Sequence, residues 1–220
     1  MVEFISWLID FILNIDQHLV EIINTFGIWT YIILFVIIFV ETGLVVFPFL
    51  PGDSLLFAAG ALAVLDGSIL SIFPLIIVLW AAAVLGDTVN YHIGKKIGMS
   101  IPEDSWFGKI INREKMEKAE AFFNKHGGKT IFIARFMPFI RTFAPFVAGA
   151  SRMNYRYFLN YNIIGATVWV LLCTLGGYFF GNIPIVKDNF SIVVIGIIVV
   201  SVIPMFVSFL RVKFGKKEAE

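Results

Sequence analysis

IFIARFMPFIRTFAPFVAGA, residues 131–150, is the stretch whose reading decides the fold. It is apolar, aromatic and rich in small residues, yet it carries Arg135, Arg141, Pro138 and Pro145. An arginine near the centre of a bilayer costs about 2.5–3.5 kcal/mol on insertion scales, so two of them mark either a function or a segment that is no plain span. Each proline removes a backbone donor and crowds the preceding turn, which argues against one continuous helix. Broken backbone at membrane depth persists only where protein or a wet cavity satisfies its polar groups. The stretch therefore predicts a re-entrant hairpin that carries its arginines to an internal cavity.

The same pattern occurs earlier, in ETGLVVFPFLPGDSLLFAAGA at residues 41–61. Setting Pro48 against Pro138 places FPFLP beside MPFIR, and after one gap Phe57-Ala-Ala-Gly60-Ala falls beside Phe146-Val-Ala-Gly149-Ala. Each copy leads into a long apolar helix, ending in Tyr91-x-x-Gly94 or Tyr178-x-x-Gly181. The first copy holds acids, Glu41 and Asp53; the second holds bases, Arg135 and Arg141. Pro48, Pro51, Gly52, Pro138 and Pro145 are the expected hairpin breaks. Paired, Pro- and Gly-interrupted hydrophobic segments in two halves of a chain point to a transporter binding site.

Composition fits this reading. Of 220 residues 59% are hydrophobic, 24 are phenylalanine and the mean hydropathy is +0.88, against about 45–50% apolar residues in a soluble domain. A formal net charge of +1 says nothing about partners. The bases form no aromatic-interleaved patch, so no nucleic acid is expected. The single Cys173 excludes an internal disulfide and a cysteine-based metal cluster. No metal and no cofactor are expected. The N-terminus has no basic leader region, so no cleavable signal peptide is expected either.

In order, the chain reads as an all-α polytopic membrane protein, an inverted repeat of two re-entrant hairpins plus about four transmembrane helices. Residues 1–27 form an N-terminal amphipathic helix with Phe4, Trp7, Leu8, Phe11 and Ile12 on its apolar face. One integral membrane domain covers 28–210: a first repeat over 28–98, a loop over 99–128, a second repeat over 129–182 and a last span over 190–210. Residues 211–220 are a basic tail. The expected crossings are 28–46, 69–94, 157–181 and 190–210, with Asn182–Asn189 as a loop. Eight of the 17 Lys and Arg fall in 95–129 and none in the first 94 residues. Within that basic loop, 113–126 reads as a surface helix ended by Gly127-Gly128. Basic loops stay cytoplasmic, which places the loop, the tail and, with four crossings, the N-terminus inside; the alternative, both hairpins crossing fully, would put the tail's four bases outside. The four acids and absent bases of the first 27 residues do not favour that side.

The motifs carry a family resemblance. Glu41-Thr-Gly, Phe49-Leu-Pro-Gly-Asp53-Ser, Gly86-Asp87 with Tyr91-x-x-Gly94, Ala134-Arg135-Phe136 leading to Arg141-Thr-Phe-Ala-Pro145, and Gly176-Gly177-Tyr178-x-x-Gly181 together resemble the DedA family of bacterial inner-membrane proteins over nearly the whole chain. The resemblance implies a role in envelope homeostasis that depends on the proton-motive force. Some members return undecaprenyl phosphate across the cytoplasmic membrane, and eukaryotic relatives scramble phospholipids. By motif position, Glu41 and Asp53 match the family's essential membrane acids, and Arg135 and Arg141 its essential arginines.

The chemistry that the resemblance implies is that of a lipid-phosphate flippase. An anionic head group crossing hydrocarbon needs fixed positive charge at mid-depth, and arginine offers a permanently charged planar fork that grips phosphate with two bonds. Arg135 and Arg141 would face about 240° apart on an unbroken helix, so a break at Pro138 is what lets them converge. Glu41 and Asp53 are the expected proton-coupling acids: protonation of either would free the arginines for phosphate, and deprotonation would release it. The expected partners are an anionic polyprenyl phosphate or phospholipid, protons and the bilayer; a homo-oligomer is left open. The four charges also fit structural ion pairs between the hairpins, Asp53 also fits a helix cap, and Asp87 and Tyr91 either line the path or hydrogen-bond between helices. Catalysis is not expected, because His18, His92 and His126 all lie outside the hairpins and no lipid-phosphatase pattern is present. The remaining alternatives are a broad phospholipid scramblase, a proton-coupled antiporter of small cations or drugs, and a purely structural or assembly role.

Overall fold

The computed structural model describes residues 15–44, 52–97, 127–137 and 140–188. Among these every regular element is a helix: α1 Ile15–Phe26, α2 Trp29–Gly43, α3 Gly52–Leu62, α4 Ile72–Ile97, α5 Lys129–Ala134, α6 Ile140–Ala150, α7 Tyr155–Gly181 and α8 Pro184–Asp188. Pro48, Pro51, Pro138, the surface helix over 113–126, the last span over 190–210, the tail and the first turns of the N-terminal helix lie outside the described residues.

Among the described residues two helices are long and apolar enough to cross a membrane. At 1.5 Å per residue, the 26 residues of α4 and the 27 of α7 measure about 39 and 40 Å, beyond the ~30 Å hydrocarbon core. Pro74 is tolerated in α4 because it sits in the first turn, where its missing N–H has no partner to lose. Asn154 opens α7, its Oδ1 accepting from the N–H groups of Arg156 and Tyr157 at 3.0 and 3.3 Å. By the same measure α3 and α6, 11 residues each, reach about 16 Å, half the core.

The two long helices are inverted relative to a soluble protein. Phe73, Ile77, Leu85, Ile164, Leu172 and Phe179 stand exposed, whereas Asp87, Asn90, Asn162 and Thr174 are buried. Apolar side chains outside, with buried polar groups among the apolar interior, suit hydrocarbon as solvent.

The chain divides into two compact units. One takes residues 15–30, 52–75 and 173–188. Here Gly27 ends α1 in the left-handed region (φ +54°), a backbone few other residues accept. Asn24 pins α1 to the turn at Gly67 (φ +84°), donating to the Gly67 carbonyl at 2.7 Å and accepting from the Ile69 N–H at 3.0 Å. Helix α3 crosses the end of α7 at backbone contact. A Cβ at Gly60 would collide with the Thr174 carbonyl, and one at Gly177 with the Phe57 carbonyl.

The other unit takes residues 31–44, 76–97, 127–137 and 140–172. It contains the same crossing. A Cβ at Gly149 would collide with the Tyr91 carbonyl, and one at Gly94 with the Phe146 carbonyl. Phe57-x-x-Gly60 thus meets Thr174-x-x-Gly177 as Phe146-x-x-Gly149 meets Tyr91-x-x-Gly94. The short helix of each half closes on the long helix of the other. The geometry equates Gly94 with Gly177, one turn earlier than the match of Tyr91-x-x-Gly94 to Tyr178-x-x-Gly181.

Local structure departs from expectation at two points. Pro145, expected at a break, lies inside α6, where it withholds one N–H from the Arg141 carbonyl without ending the helix. Residues 182–189, expected as loop, contain α8, which begins at Pro184, a favoured first helical residue.

Candidate functional site

The second unit gathers several buried polar side chains into one place, and small residues make that possible. Gly43 of α2 and Gly86 of α4 approach so closely that a Cβ at Gly86 would strike the Thr42 hydroxyl and the Phe39 carbonyl. This contact brings the end of α2 against the middle of α4. Asn90, fully buried, then ties three helices: its amide donates to the Thr42 carbonyl of α2 at 3.0 Å and to the Thr142 carbonyl of α6 at 2.7 Å.

Helix α5 ends at Ala134, and Arg135 follows in a turn. Its guanidinium is buried, paired with the Asp87 carboxylate and donating to Asn162 Oδ1 at 2.6 Å. Arg141, in the first turn of α6, pairs with the Glu41 carboxylate at the end of α2. Because the chain is not helical through residues 135–137, the two arginines need not diverge as they would on one helix. Both lie over the ring of Trp169, Arg135 at 5.7 Å and Arg141 at 5.2 Å from its centroid. That range is where a cation is attracted by an indole face.

A small cavity opens between these groups, lined by Thr42, Asp87, Arg135, Arg141, Thr142 and Trp169 among others. Its volume is about 10 Å³, about the space that one water molecule needs. With two guanidinium and two carboxylate groups, the cluster is formally neutral.

The expected site residues are distributed as follows. Arg135, Arg141 and Glu41 come together, Glu41 being 1% exposed. Asp87 lines the cavity and supplies the second carboxylate. Tyr91 does not line it; its hydroxyl donates to the Met153 carbonyl, and its ring stacks on Phe158 with centroids 4.6 Å apart. Asp53 belongs to the other unit, where it stands exposed in the first turn of α3 behind Gly52. Sequence reasoning passed over Asn90, Asn162 and Trp169. The signal for the two asparagines was available, since an amide inside an apolar span of this length demands an internal partner. Among the described residues no group of three or more His, Cys, Asp or Glu side chains is placed to hold a metal ion.

Comparison with known proteins decides the family. The VTT domain family model matches residues 50–179. Protein DedA of Escherichia coli strain K12 is 53% identical over 211 residues, covering 96% of each chain. The chain belongs to the DedA family. Other DedA-family relatives are the uncharacterized membrane protein Rv0364 of Mycobacterium tuberculosis, 42% identical over 84% of this chain and 80% of its own, and inner membrane protein YghB of E. coli, 33% identical over 83% and 79%. No solved structure matches. As a DedA-family chain, it is a membrane protein, in keeping with the apolar faces of α4 and α7.

Proposed function

We propose that the chain is a flippase of the bacterial cytoplasmic membrane that carries undecaprenyl phosphate or a related anionic lipid, driven by protons, for envelope biogenesis. The observation that carries this reading is the convergence of Arg135 and Arg141 on Trp169, each guanidinium held by a carboxylate. Two planar cations with a shared aromatic floor are what a phosphate group needs at membrane depth.

The carboxylates give the cycle its logic. A phosphate group is far larger than the present cavity, so it enters only when Asp87 and Glu41 yield the guanidinium donors. Protonating either acid breaks an ion pair and leaves net positive charge for the head group. Deprotonation restores the pairs and expels it. Asp87 thereby joins Glu41 in the coupling role, and Asp53 remains the second proposed proton-coupling acid. In this reading the 11-residue α3 and α6 belong to re-entrant hairpins, the lipid tail stays in the bilayer, and both chain termini are cytoplasmic.

The test is reconstitution in liposomes with labelled undecaprenyl phosphate, scoring its outer-leaflet exposure with and without a pH gradient. Gradient-dependent exposure is expected. Transport indifferent to the gradient removes the proton cycle, and equal transport of zwitterionic phospholipids replaces the flippase reading with broad scrambling.

A further inference from the structure

One face of α7 is shaped around Arg135. Asn162, Gly165 and Trp169 recur at intervals of three and four, the spacing of one helical stripe. Asn162 Oδ1 accepts from the Arg135 guanidinium at 2.6 Å. Its amide nitrogen donates to the Val84 carbonyl of α4 at 3.1 Å, which fixes which way the side chain faces. Gly165 lies under the arginine stem: a Cβ there would stand 3.2 Å from Nε and 3.4 Å from Cδ. Trp169 lies beneath the guanidinium. The Asp87 and Asn162 oxygens accept from the same terminal nitrogen of Arg135.

We infer that Asn162 is a positioning residue for Arg135, the neutral partner that keeps the guanidinium over Trp169 when Asp87 lets go. The two oxygens differ in one respect. Protonation removes the charge that holds Arg135 to Asp87, whereas an amide oxygen accepts a hydrogen bond at any pH. Without Asn162, an arginine released by Asp87 is a long side chain with several rotamers to explore and no fixed aim. Gly165 keeps the space that this pose requires. This inference rests on the proposed lipid-phosphate reading for its functional part, and on geometry alone for the placement of the two oxygens.

The test exchanges the two partners. Asp87→Asn leaves Arg135 buried with no carboxylate and is expected to lower the thermal midpoint of the purified full-length protein in detergent by roughly 5–10 °C. The double variant D87N/N162D returns a carboxylate to the same nitrogen and is expected to recover part of that loss; the second carboxylate oxygen then faces the Val84 carbonyl in place of the amide donor, while Val84 keeps the Thr88 hydroxyl at 2.8 Å. No recovery overturns the placement. Asn162→Ala is then compared with wild type in the liposome assay with undecaprenyl phosphate. The expected result is a KM raised about tenfold with a smaller change in maximal rate, the loss of one hydrogen bond to a charged group. An unchanged KM overturns the positioning role. If wild type itself transports nothing while D87N/N162D recovers stability, the lipid-phosphate reading fails and the placement of Arg135 between Asp87 and Asn162 stands.

Discussion

Arg135 and Asp87, 48 residues apart in the chain, form an ion pair whose two side chains are 5% and 6% exposed. Such a pair contributes less than its appearance suggests, because both ions give up their hydration to form it. Removing one partner is different, for it strands the other charge. Asp87→Ala is therefore expected to destabilise the protein by about 3–5 kcal/mol, and the double variant D87A/R135M to recover part of that loss. Denaturation of the purified protein in detergent, followed by circular dichroism, reads both. A double variant no more stable than Asp87→Ala would show that the charge was not the cause.

Arg141 pairs with Glu41 and lies over Trp169. Lysine keeps the charge but loses the planar fork and its stacking. Arg141→Lys is expected to keep the fold and to lower transport of undecaprenyl phosphate about tenfold, with Arg141→Ala lower still. Initial rates in liposomes, with the amount of folded protein matched, check the order.

The glycines separate by what surrounds them. Gly149 faces the Tyr91 carbonyl with no room for a side chain, and Gly67 faces open space at φ +84°. Gly149→Val is expected to abolish the α4–α6 crossing and most of the folded yield. Gly67→Ala is expected to cost only about 1–2 kcal/mol, the strain of its backbone. Size-exclusion profiles in detergent distinguish the two.

Arg152 follows α6 in the left-handed region (φ +58°), with the Met153 N–H bonding back to the Ala148 carbonyl at 3.0 Å. Glycine suits this position better than any residue with a Cβ. Arg152→Gly is expected to raise stability by about 1 kcal/mol, read as a higher thermal midpoint. A lower midpoint would mean that the exposed side chain contributes more than its backbone costs.

The residues say much of this beforehand, but unevenly. Arg135 and Arg141 announce themselves because charge in apolar surroundings is costly, and Glu41 does so for the same reason. Their pairing is harder to read. Charge complementarity set Glu41 and Asp53 against the arginines, yet the acid that reaches Arg135 is Asp87, from the middle of a long helix. Nothing in local spacing distinguishes an acid that faces a neighbouring helix from one that faces water. The halves were legible as repeats, but the register of Gly94 against Gly177 was not, since it depends on which carbonyl each glycine touches. Pro145 shows a further limit: proline weakens a helix interior, yet this one lies buried inside an unbroken α6.

The exchange of partners between the two halves bears on how the chain is made. As the ribosome releases it, α3 emerges more than a hundred residues before Thr174 and Gly177, the positions that close over Gly60. Until then its glycine face lacks the backbone it meets in the folded chain, so this seam closes only once the C-terminal half has been made.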